Sequence, residues 1–127
     1  MPDLAAVHDR LRAILVPYFG SLSATKDSPD GVALEYPGLE GKPWGFVAAT
    51  RLGERYVSFY LMSVYAMPDL LDSMSPELRR RMQGKSCFNF TKIDEPLMTE
   101  LEAITAAGMA RQLEMLAMAK AAEARRR

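Results

Sequence analysis

The sequence predicts an α+β domain: an antiparallel sheet of about five strands with an N-terminal and a C-terminal helix packed on one face. Three observations point there. Apolar residues recur at helical spacing near both ends of the 127-residue chain. Between them, short alternating segments are separated by turn signals. Late in the chain, Ser75-Pro76-Glu77 combines a capping hydroxyl, a first-turn proline and a first-turn acid, starting a short helix before one last strand. Residues 1–111 read as a single domain, and 112–127 as a helical C-terminal extension with a frayed basic end.

The elements follow in order. Asp3 is a fair N-cap, and Leu4, Val7, Leu11, Ile14, Leu15 and Tyr18 form the inner stripe of a helix expected to reach Phe19. Leu22 and Ala24, then Val32, Leu34 and Tyr36, alternate with polar neighbours around the Ser28-Pro29-Asp30-Gly31 turn, as a hairpin does. Pro37 to Pro43 is a loop by composition. Trp44–Ala49 and Tyr56–Met62 form a second hairpin. A turn centred between Leu52 and Gly53 sets Phe46 opposite Phe59, Trp44 opposite Leu61 and Ala48 opposite Val57 on the core face. Gly45, Val47 and Ala49 then oppose Tyr60, Ser58 and Tyr56 on the other face. Met67 to Leu71 makes a short helical turn, and the helix begun at Ser75 stops at Gly84. Ser86–Phe90 is the final strand. Asp94 caps a long helix whose inner stripe is Leu97, Leu101, Ile104, Thr105 and Gly108, with Ile93 and Met98 stapling its start. Gly108 costs about 1 kcal/mol relative to alanine inside a helix, which marks a close backbone contact or a weak point. Met115, Leu116 and Met118 give the extension an apolar edge.

Sixteen basic residues balance sixteen acidic ones, so no global field draws the chain to nucleic acid or an anionic membrane. Arg125-Arg126-Arg127 reads as a solubilising end. One cysteine, Cys87, excludes an internal disulfide and a cysteine-built zinc site, and one histidine, His8, excludes a histidine-rich metal centre. No secretory signal pattern or apolar run of bilayer length is present, so the expected compartment is the cytoplasm.

Gly84-Lys85-Ser86 imitates the end of a phosphate-binding loop. The upstream glycine is replaced by Arg79, however, and the order is helix, loop, strand rather than strand, loop, helix. Cys87 reads as a buried structural thiol, and His8 as a partly exposed or core-edge residue. The most suggestive group is Tyr56, Ser58 and Tyr60, with Gly45 opposite leaving an opening and Trp44 and Lys85 as neighbours. Cross-strand packing of Tyr60 over the glycine explains the same pattern without a ligand.

The Met82-Gln83-Gly84-Lys85-Ser86-Cys87-Phe88-Asn89-Phe90 stretch, together with Tyr56-Val57-Ser58-Phe59-Tyr60-Leu61-Met62, resembles the signature of the YdhG-like family. These are small α+β domains mostly of unknown function, some described as frataxin-like iron chaperones. The resemblance spans Pro37 to Arg111 and implies a compact domain with an antiparallel sheet. Iron delivery of the frataxin kind needs clustered carboxylates. Here Asp3 and Asp9 are interspersed with Arg10 and Arg12, and Asp27, Asp30, Glu35 and Glu40 are scattered, with no dense acidic ridge. The leading expectation is therefore a non-enzymatic binding or adaptor module for a small molecule or protein, without cofactor, as a monomer or weak homodimer. Iron delivery is the alternative, and an enzyme using Cys87 or Lys85 is the least favoured.

Overall fold

The structure, a computed structural model, describes residues 3–111 together with 114, 117–118, 121–122 and 124–125. Met115, Leu116, Arg126 and Arg127, which figure in the expectations above, lie outside the described residues. Among the described residues, five strands form one antiparallel meander in which neighbours in sequence are neighbours in the sheet, with the N-terminal and C-terminal helices on one face, as the sequence predicts. No described helix is long and apolar enough to cross a membrane.

Helix α1 spans Leu4–Leu15, and Asp3 caps it by accepting from the Ala6 amide at 3.1 Å. It stops short of the expected Phe19. Pro17 has no amide proton to donate into an α-helical turn, and Val16–Tyr18 tightens into a 3-10 turn instead. Strands β1 (Ser23–Ser28) and β2 (Gly31–Glu35) form the expected hairpin, with Ser28 paired to Gly31.

Strand β3 (Phe46–Leu52) and β4 (Val57–Leu61) pair Ala48 with Leu61, Thr50 with Phe59 and Leu52 with Val57. The hairpin therefore turns two residues later than the sequence reading placed it. The Gly53 amide donates to the Tyr56 carbonyl at 3.0 Å, closing the loop around Glu54 and Arg55. Trp44 and Gly45 leave the strand for a 3-10 turn, Pro43–Gly45. The pairing shift is even, so each side chain keeps its face although its partner changes. Ala48, Val57, Phe59 and Leu61 remain on the helix side and are fully buried.

β4 ends one residue before Met62, and Met62–Ala66 forms a short helix, α2. A 3-10 stretch, Pro68–Ser73, follows where a helical turn was expected, then α3, Pro76–Arg79. Ser75 caps α3 by accepting from the Leu78 amide at 3.1 Å, and Glu100 in turn accepts from the Ser75 amide and hydroxyl. Gly84 does not end this helix. It sits at φ +85° in a tight reversal that lays Arg81–Gln83 along the outer edge of β5 (Cys87–Phe90). There Gln83 donates to the Cys87 carbonyl and Asn89 to the Arg81 carbonyl, both at 2.8 Å, so this sheet edge is covered.

Helix α4 spans Glu95–Ala110, capped by Asp94, and buries Leu97, Leu101, Ile104, Thr105 and Gly108 as predicted. Ile93, expected to staple against Met98, is instead exposed. A Cβ on Gly108 would overlap the Ser63 side chain, so this glycine is the close-contact point between α4 and α2. Leu11, Leu15, Phe59, Phe88, Met98 and Leu101 centre the core between helices and sheet. Arg10 clamps the Glu95 carboxylate with contacts of 3.0–3.2 Å, tying α1 to the first turn of α4.

Candidate ligand-binding site

The sheet face away from the helices is built from two cross-strand rows. Gly31, Arg51, Ser58 and Asn89 form one, and Ala33, Ala49, Tyr60 and Cys87 the other. The β2 and β3 positions of these rows, apart from Arg51, are glycine or alanine, so the face is low there and rises at Tyr60. The Ser58 hydroxyl donates to Asn89 Oδ1 at 2.8 Å, and the Cys87 thiol approaches the same oxygen at 3.4 Å. Asn89 Nδ2 reaches Gln83 Oε1 at 3.5 Å. These contacts orient a buried Ser58 at the base of a cleft of about 540 Å³.

Tyr56, Ser58 and Tyr60, singled out from the sequence, line this one cleft together with Arg51, Glu54 and Arg55. Tyr56 is 44% exposed at the rim, while Tyr60 is half-buried. Among the described residues neither Arg51 nor Arg55 has a carboxylate within ion-pair distance. By contrast, Arg10, Arg12 and Arg111 are each paired with an acid. The cleft can therefore offer guanidinium, hydroxyl and aromatic groups to a ligand without first breaking an ion pair. The sequence reading missed both arginines because charged residues in and beside a hairpin turn are ordinary solvent-facing chemistry. Only the later turn aligns Arg51 with Ser58.

The other predicted residues lie elsewhere. Gly45 is not opposite Tyr60, whose strand partners are Ala49 and Cys87. It is buried, and a Cβ there would overlap the Leu39 carbonyl, so its lack of a side chain serves loop packing rather than a ligand opening. Trp44 lines a separate pocket of about 290 Å³ with Tyr36, Phe46, Met62, Tyr65 and Met118, and Lys42 lies 5.4 Å from its ring centre. Lys85 projects from the reversal toward Tyr65, its Nζ 5.9 Å from the ring centre. It lines a third cavity, of about 640 Å³, with Val64, Leu71, Arg79 and Met82.

Lys85 thus faces Tyr65, while Cys87 approaches Asn89 on the sheet face. Burial pushes the Cys87 thiol above its usual range, outweighing stabilisation from Ser58 and Tyr60, so it is a thiol rather than a thiolate at neutral pH. His8 is fully buried rather than at the core edge. Its Nε2 lies 2.8 Å from Thr50 Oγ1, and Nδ1 has no partner among the described residues. Burial lowers its pKa against the opposing pull of Asp9 and Asp30.

The scattered carboxylates are engaged locally. Asp27 pairs with Arg12 at 2.8 Å, Glu35 accepts from Thr25 and the Gly41 amide, and Glu40 accepts from Ser23 and the Gly38 amide. Among the described residues, no group of three or more His, Cys, Asp or Glu is placed to hold a metal ion. No family model, curated protein or solved structure matches this chain.

Proposed function

We propose that the protein is a YdhG-like cytoplasmic binding module without catalytic activity, and that the cleft between Arg51 and Tyr60 receives an anionic small molecule. One observation carries this reading: Tyr56, Ser58 and Tyr60 share a cleft with two arginines that have no carboxylate partner among the described residues. Glu54 lines the same cleft but lies beyond ion-pair distance of either guanidinium, which leaves both able to take phosphate or carboxylate, and the tyrosine rings favour a flat apolar group beside it. The volume lies within the range of about 300–1,000 Å³ common for small-molecule sites. Iron delivery and Cys87 or Lys85 catalysis draw no comparable support, since the carboxylates are dispersed and the thiol is held protonated.

Phenyl phosphate is a suitable probe. Titrated into the labelled protein, it should move the amide signals of Tyr56, Ser58 and Tyr60. The Arg51→Gln/Arg55→Gln double variant should bind it about ten- to a hundredfold more weakly, in line with the loss of a charge-assisted contact. Unmoved signals at these residues, or equal affinity in the variant, would remove the cleft as a ligand site.

A further inference from the structure

The larger cavity has a different chemistry and lies outside the proposed sheet-face site. The α2 helix and the 3-10 stretch after it supply one wall, with Tyr65, Pro68 and Leu71. The end of α3 and the reversal before β5 supply the other, with Arg79, Met82 and Lys85. Tyr65 stays 56% exposed at this cavity, an unusual place to leave a large ring, with the Lys85 ammonium 5.9 Å from its centre. None of the described lining residues is acidic, and neither cation has a carboxylate within ion-pair distance among the described residues. Gly84, at φ +85°, makes the reversal that delivers Lys85 here, a conformation L side chains rarely adopt.

An apolar wall facing two uncompensated cations suits a ligand that is itself divided. A neutral apolar molecule would leave Arg79 and Lys85 unanswered, and a small hydrophilic anion would leave Tyr65, Pro68, Leu71 and Met82 wet. We propose that this cavity binds a monoanionic amphiphile, a carboxylate carried on a short apolar chain or ring, with the carboxylate between Arg79 and Lys85. The volume of about 640 Å³ favours such a small molecule over an extended peptide segment.

Octanoate, octanol and acetate separate the contributions, and the full chain can be used throughout. Octanoate should shift the signals of Tyr65, Leu71 and Met82, octanol should bind about tenfold or more weakly, and acetate should move nothing there. The Arg79→Gln/Lys85→Gln variant should reduce octanoate affinity to that of octanol while leaving octanol binding and thermal stability unchanged. The Arg51→Gln/Arg55→Gln variant should bind octanoate as the unmodified protein does. Octanoate leaving Tyr65 and Met82 unmoved overturns the proposal. So does octanol binding equally well, unchanged octanoate affinity in the Arg79/Lys85 variant, or loss of binding in the Arg51/Arg55 variant.

Discussion

Replacing Thr50 by valine removes the only hydrogen-bond partner that a fully buried imidazole has among the described residues. His8 Nε2 lies 2.8 Å from Thr50 Oγ1, Nδ1 already has no partner, and both residues sit between α1 and β3. Thr50→Val conserves shape, so the cost is that of stranding a buried polar atom, about 1–3 kcal/mol. His8→Leu strands the threonine hydroxyl instead, but it also removes the orphaned Nδ1, so its cost should be smaller. The double variant replaces both partners by apolar groups and should recover most of the Thr50→Val loss. That gives a coupling energy of about 1 kcal/mol or more.

The same pair predicts a pH dependence. Burial lowers the folded-state pKa of His8 below its ordinary value of 6.5. Above that value the imidazole is neutral in both states and stability is unaffected. As pH falls through it, the unfolded chain takes up the proton first, so stability declines until the lowered folded pKa is reached and then levels off. A single group contributes at most about 1.4 kcal/mol per pH unit in that window. Urea unfolding at pH 7.5 and pH 5.5, followed by the single tryptophan, Trp44, measures both effects and avoids most carboxylate titration. The unmodified protein should be weaker at pH 5.5, and His8→Leu should lose most of that difference. A Thr50→Val variant as stable as the parent, strictly additive costs in the double variant, or an undiminished pH difference in His8→Leu would refute the reasoning.

Two further substitutions probe close approaches. Gly108→Ala improves helix propensity, yet its methyl would meet Ser63, so it should destabilise by about 1–3 kcal/mol. Ser63→Gly in the same chain should return part of that loss in thermal unfolding; a neutral or stabilising Gly108→Ala would show that α2 yields freely. Gly45→Ala would press on the Leu39 carbonyl, so it should cost about 2 kcal/mol or more and shift Trp44 emission. An unchanged midpoint and emission would restore the reading of Gly45 as open space.

Much of the fold was legible because its signals are local. Asp3, Ser75 and Asp94 each cap the helix they were expected to start, since a side-chain acceptor three residues before an orphan amide is a short-range device. Ends that depend on neighbours were less readable. Proline at position 17 shortened α1, and Gly84 proved to serve a reversal whose need appears only once Arg81–Gln83 lies along β5. α2 was hidden because Met62–Ala66 carries residues that suit a strand equally well, and its close packing on α4, Ser63 against Gly108, is a contact between residues far apart in sequence.

The hairpin of β3 and β4 explains why the candidate site was half legible. Segregating apolar side chains determines only the parity of a register, because any even slip returns the same residues to the same face. Tyr56, Ser58 and Tyr60 therefore emerged together, as parity requires, while their partners did not. Moving the turn to Glu54 and Arg55 removed Gly45 from the strand and placed Arg51 opposite Ser58. The chemistry of the face changed from an aromatic over a glycine gap to hydroxyls beside arginines that no described carboxylate pairs. Parity is decided by the core, which sequence periodicity reports; pairing within a parity class is decided by turn geometry. A site that straddles two strands inherits its composition from the first and its ligand preference from the second.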